Sequence, residues 1–147
     1  MPHVIDKLDL IKNQACFSPL NDEEREMLAD LFKEKYFKTG DTIVTEGDIV
    51  DSVYLIDSGR ADVRHVYLKD GVLKFDSLAQ LGPRQAIGLS ETGFYSITGV
   101  RTATVVALTD MVTLKLSVAA FNGFALAYPR VKQIIRKFSH DQVGSSK

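Results

Sequence analysis

Three histidines, His3, His65 and His140, and one cysteine, Cys16, are the residues best suited to metal or nucleophilic chemistry in this chain. None stands in an H-x-H, H-E-x-x-H or C-x-x-C spacing, so no metal set is legible. A metal-dependent β-barrel enzyme would need His and carboxylate ligands clustered on strands, and only His65 falls in a strand-like run. Cys16 beside Phe17 reads as a small packed hydrophobe rather than a nucleophile. Glu46, Asp48 and Asp51 lack calcium-loop spacing and read as turn residues. Walker, G-x-G-x-x-G and G-x-S-x-G patterns are absent. The expectation is a protein that is not an enzyme and has no cofactor or metal of its own.

One segment is richer: Leu81 to Leu108, LGPRQAIGLSETGFYSITGVRTATVVAL. Gly82-Pro83 turns the chain, and Ile87-Gly88 closes a strand-like stretch. Without a Cβ, Gly88 lets the backbone approach a ligand closely. Ser90, Glu91 and Thr92 are expected to open a short helix whose free N–H groups favour an anion. Arg101 follows thirteen residues after Gly88 and opens a strand-like run, RTATVVAL. A guanidinium there grips a phosphate bidentately, with the Thr102 and Thr104 hydroxyls as further donors. The candidate phosphate-binding residues are therefore Gly88, Ser90, Arg101 and Thr102. By residue type alone, an arginine that opens a strand is usually a solvated edge or salt-bridge residue, and a ligand role is the less common one.

The elements that must position these residues are marked by punctuation. Eight of the ten glycines lie between positions 40 and 99, the first with gaps of 7, 12, 12 and 11 residues. That is the rhythm of short strands joined by tight turns. β-rich runs lie at Thr42 to Thr45, Val53 to Ile56, Ala61 to Leu68, Val72 to Leu81, Arg101 to Leu108 and Met111 to Leu116. Asp57-Ser58-Gly59 and Lys69-Asp70-Gly71 suit hairpin turns. The middle of the chain therefore reads as an antiparallel β-structure of about seven or eight strands.

Helical periodicity flanks it. Val4, Ile5, Leu8 and Ile11 share a helical face. Asn21 with Glu24 resembles a capping box, ahead of an apolar stripe of Met27, Leu28, Leu31 and Phe32. Ser117 is placed to cap a helix carrying Phe121, Phe124 and Ala125. Pro129 suits the first turn of a last helix, where Val131, Ile134, Ile135 and Phe138 follow helical spacing.

Composition narrows the class. With 147 residues, 45% apolar and 25% charged, the chain is expected to form one globular domain. Its formal net charge of −1 gives no electrostatic case for a nucleic-acid partner. No apolar run approaches the ~20 residues of a membrane span, and the N-terminus has no signal-peptide stretch. A lone Cys16 excludes an internal disulfide and fits a reducing, cytoplasmic setting.

Between Leu20 and Phe138 several motifs stand in a fixed order. They are Lys38-Thr39-Gly40-Asp41 with Thr42-Ile43-Val44, Glu46-Gly47-Asp48, Val53-Tyr54-Leu55-Ile56, and Ser58-Gly59-Arg60. Leu81-Gly82-Pro83, Ile87-Gly88 and Arg101-Thr102-Ala103 complete the series. In this the chain resembles the cyclic nucleotide-binding domain of catabolite-activator-type regulators, cyclic-nucleotide-dependent kinases and gated channels. The resemblance implies an eight-stranded antiparallel β-roll, jelly-roll-like, with N- and C-terminal α-helices. The corresponding division is helical 1–33, β-roll 34–117, C-terminal helices 118–139 and a frayed tail 140–147. It also implies a ligand, cAMP or cGMP, held by the Gly88 to Arg101 cassette, with Ile135 and Phe138 as candidates to cover the base.

The cassette departs from the family pattern in two places. Where the family carries a Glu that accepts from the ribose 2′-hydroxyl, Leu89 stands here, and Glu91 comes two residues later. The Gly88–Arg101 stretch is also longer by about two or three residues than the resemblance leads one to expect. Two functions follow. The first is a regulatory module that binds a cyclic nucleotide and signals by moving its C-terminal helices. The alternative is a degenerate fold that binds no nucleotide and acts through protein contacts. Either requires a protein partner, another copy of the chain, or an effector in a longer one.

Overall fold

The computed structural model describes residues 5–90, 93–94 and 99–129. Two short helices lead in. Helix α1 (Lys7–Lys12) is capped by Asp6, whose carboxylate accepts from the Asp9 N–H. Helix α2 (Asp22–Ala29) carries the full capping box, with Asn21 and Glu24 each accepting from the other's backbone. A single 3-10 turn, Ala15–Phe17, joins them.

Ten strands follow, β1 (Lys33–Phe37), β2 (Thr42–Val44), β3 (Ser52–Ser58), β4 (Ala61–Lys69), β5 (Val72–Leu81), β6 (Ala86–Ile87), β7 (Leu89–Ser90), β8 (Gly93–Phe94), β9 (Thr104–Ala107) and β10 (Met111–Ser117). Eight of them form two four-stranded antiparallel sheets, ordered β1-β10-β3-β6 and β2-β9-β4-β5, and among the described residues β7 pairs with β8 alone. Helix α3 (Val118–Ala127) then leaves β10, its first turn capped by the Ser117 hydroxyl, which accepts from the Ala120 N–H at 3.0 Å. This is the expected β-roll with flanking helices.

Strand β3 shows why the core holds together. Val53 and Leu55 point to one face and join Ile11, Phe17, Leu28 and Phe121 in a core between helices and sheet. Tyr54 and Ile56 point to the other, where they meet Ile43, Val105 and Met111 between the two sheets. A strand covered on both faces reads as a continuous apolar run, and Val53-Tyr54-Leu55-Ile56 is one. The β4–β5 hairpin turns on Asp70 and Gly71, with φ of 54° and 77°, as a two-residue turn with both central residues at positive φ requires.

Three expectations need correction. Strand β1 falls where the resemblance starts the β-roll but is missing from the β-rich runs read by residue type, because four of its five residues are exposed and its place is set by pairing with β10. Met27 and Leu8 are largely exposed rather than part of the apolar stripes. α1 begins at Lys7, so Ile5 precedes the helix; Ile5 and Ile11 are buried in one core as expected, with Leu10 rather than Leu8 beside them. Val4, Val131 and Ile134 lie outside the described residues.

Candidate functional site

Arg101 reaches its place through its backbone. Its N–H donates to the Asp48 carbonyl at 2.8 Å, and its own carbonyl accepts from Gly47 at 2.9 Å. Val50 donates to the Gly99 carbonyl, and Ile49 bridges Val100, so the approach to β9 is zipped onto the loop before β3. The strand expected to open at Arg101 therefore begins only at Thr104. The Thr104 hydroxyl oxygen accepts from the Glu46 N–H at 3.0 Å, which assigns this side chain to the fold rather than to the cleft.

The Arg101 side chain is buried, and its Nη2 donates to the Ser52 carbonyl at 2.6 Å. Burial pulls its pKa down, while Tyr54, Asp51 and Asp48 act in the opposite sense. Among the described residues no carboxylate lies within ion-pair distance of it. Beside it stands Gly88, at φ +93°. A Cβ there would lie 3.0 Å from Val53 Cγ1 and 3.1 Å from Arg101 Nη1, so the bare backbone is what allows the guanidinium its position.

These residues line a cleft of about 600 Å³ between the ends of β2, β5, β6 and β9. Its walls are mostly apolar, including Val44, Val63, Leu81 and Val105. An apolar cleft with a buried guanidinium suits a ligand with one anionic group and a flat, weakly polar body. Thr102 also lines the cleft and is exposed. Leu89 lines it too, and is half-buried against the helical core.

The structure brings together Gly88, Arg101 and Thr102. Ser90 lies one residue beyond the cleft lining, in β7. The helix expected to start there is replaced by a ladder in which Leu89 pairs with Phe94 and Ser90 with Gly93. The anion-binding helix end is thereby removed at Ser90. Glu91, Ile135 and Phe138 lie outside the described residues. The sequence reading missed Ser52, the anchor of the guanidinium. No local pattern links it to an arginine 49 residues away.

Two other chemistry-bearing residues lie among the described residues, Cys16 and His65, while His3 and His140 lie outside them. Cys16 is buried, and that burial pushes its thiol pKa up to about 12. His65 pairs with Glu46 at 3.2 Å. Among the described residues no three His, Cys, Asp or Glu side chains are grouped to hold a metal ion. No helix among them is long and apolar enough to cross a membrane.

Two four-stranded sheets, flanking helices and an arginine-floored cleft define a β-roll module with a candidate anion site. The chain belongs to the cyclic nucleotide-binding domain family, which matches residues 34–128. It is 30% identical over 135 residues to a cAMP-dependent protein kinase regulatory subunit of Colletotrichum orbiculare, covering 92% of this chain and 32% of the relative. The N-terminal domain of a Streptomyces coelicolor transcriptional regulator superposes with a TM-score of 0.77 at 26% identity, covering 94% of this chain and 92% of that one. The Thermus thermophilus catabolite activator protein shares the fold, with a TM-score of 0.68 at 22% identity over 90% of this chain and 60% of that one. The chain spans between about an eighth and a third of the length of curated relatives that it matches.

Proposed function

We propose that the protein is a non-catalytic, cytoplasmic regulatory module whose cleft binds a cyclic nucleotide, cAMP or cGMP. The observation that carries this is the buried Arg101 guanidinium beside the bare backbone of Gly88, in an apolar cleft of about 600 Å³. The phosphate meets Arg101, with Thr102 at the rim and the backbone from Gly88 to Ser90 opposite. The base and sugar lie along the apolar walls. Glu91 is the candidate for the ribose hydroxyl, and Ile135 and Phe138 for the base lid. Binding draws on the β6–β7 corner, and the C-terminal helices shift with it toward a protein partner or a second copy.

Leu89 favours a second reading, a degenerate fold acting through protein contacts alone. It puts a half-buried apolar side chain where the family resemblance expects a ribose-binding carboxylate.

Thermal unfolding with and without millimolar cAMP and cGMP separates the two. A ligand present at about 100 times Kd stabilises by about 2.7 kcal/mol, a shift of several degrees. The first reading expects that shift in the native protein and its loss in Arg101→Glu. Absence of a shift with either nucleotide supports the second.

A further inference from the structure

Outside the cleft, the least explained feature is β5. Every residue from Val72 to Gln80 is exposed, and the strand is ten residues long. It pairs with β4 on one side, and among the described residues nothing pairs with its other edge. Folded proteins usually shorten, cover or charge such edges, because an open strand is a template for another. Here the edge is also apolar on one face. Val66 stands opposite Phe75 and Leu68 opposite Leu73. Leu68, Leu73 and Phe75 are 69%, 71% and 51% exposed. Arg64 covers only the Phe75 ring face, its guanidinium carbon 4.0 Å from the centroid.

We propose that β5 pairs antiparallel with β5 of a second copy, about a two-fold axis through Phe75, so that one sheet runs across a homodimer. The order of charges selects this occupant. Lys74 and Asp76 flank Phe75 symmetrically. With the axis at Phe75, each Lys74 stands directly opposite the partner's Asp76, giving two cross-strand ion pairs. The two Phe75 rings then meet on the apolar face and Leu73 lies opposite the partner's Ser77; the regular pairing ends there, because β5 bulges at Leu78.

Neighbouring registers fail. A two-fold axis perpendicular to the sheet keeps side-chain faces matched, so the axis moves one residue at a time. Centred on Lys74 it sets lysine against lysine, and centred on Asp76 it sets aspartate against aspartate. Like charges directly opposite destabilise a pair, while opposite charges and aromatic pairs stabilise it. A lone edge lysine would repel a copy, but Asp76 two residues on makes the edge complementary to itself. The pairing is isologous and consumes both β5 edges, so it closes as a dimer rather than growing into a filament.

Sedimentation velocity of the 147-residue chain over a concentration series tests this. The native protein is expected to sediment as two chains. Lys74→Asp and Asp76→Lys are each expected to sediment as one chain, because each places like charges opposite across the axis. An equimolar mixture of the two variants is expected to restore the two-chain species, since each then supplies the charges the other lacks. Matching far-ultraviolet spectra and a cooperative thermal transition show that the variants remain folded. A native protein that stays a single chain throughout, a dimer that survives either reversal, or a mixture that stays monomeric would each overturn the proposal.

Discussion

Arg101 donates through Nη2 to the Ser52 carbonyl at 2.6 Å, tying a buried cation of the cleft to the first residue of β3. The bond fixes where the guanidinium sits before any ligand arrives. A preplaced charge-assisted donor loses less freedom on binding than a flexible one. Its neighbour Gly88 makes the arrangement possible by presenting backbone alone, and the two residues come from separate parts of the chain held against the same strand.

Gly88→Ala is accordingly expected to cost both stability and affinity. The new methyl must occupy φ +93° and press to 3.0 Å from Val53 and 3.1 Å from Arg101. Strain of this kind costs of order 1–3 kcal/mol, or several degrees of melting temperature. The displaced guanidinium should also bind cyclic nucleotide more weakly in calorimetry. An unchanged melting temperature would mean that Val53 and Arg101 yield freely.

Asp62 carries a pH prediction. Burial pushes its pKa up, but the Ser77 hydroxyl and the Arg64 guanidinium, the latter at 2.7 Å, outweigh this and hold it below the ordinary carboxylate value. The folded state therefore binds that proton less readily than the unfolded chain. Its contribution to stability is complete above the unfolded pKa of about 3.9 and is lost as pH falls through the lower folded value. The stability gap between native protein and Asp62→Asn should stay level from neutral pH to about pH 5, then narrow below about pH 4. Denaturant melts across that range measure it, and a gap that widens in acid would reverse the assignment.

What the sequence made legible was local. The capping box of Asn21 and Glu24, the Ser117 cap and the Asp70-Gly71 turn each lie within four residues, and each is present. The doubly covered β3 was legible because burial on both faces leaves an unbroken apolar run. Strand β1 was not, since Lys33-Glu34-Lys35-Tyr36 carries no alternation and pairs because β10 lies beside it. The same limit applies in the cleft. Gly88 and Arg101 were identified by type and spacing, while Ser52 is joined to Arg101 only by folding. The Ser90 helix failed for a related reason: its helix-starting composition gave way to pairing with Gly93.

The last prediction concerns Leu89, which lines the cleft and packs against the helical core. The family resemblance places a carboxylate at this position, accepting from the ribose 2′-hydroxyl. If no other group replaces it, the protein gains nothing from that hydroxyl and should bind cAMP and 2′-deoxy-cAMP with nearly equal affinity. Leu89→Glu should then create a preference for cAMP, because a hydrogen bond to a charged group contributes ~1.5–3 kcal/mol, or roughly 10- to 150-fold. The variant should also melt lower, since part of the new carboxylate replaces apolar packing. Calorimetry with both ligands on both proteins reads these effects directly. A native preference for cAMP that disappears in Glu91→Ala would show instead that the later carboxylate already fills the role, and that the longer cassette compensates for Leu89.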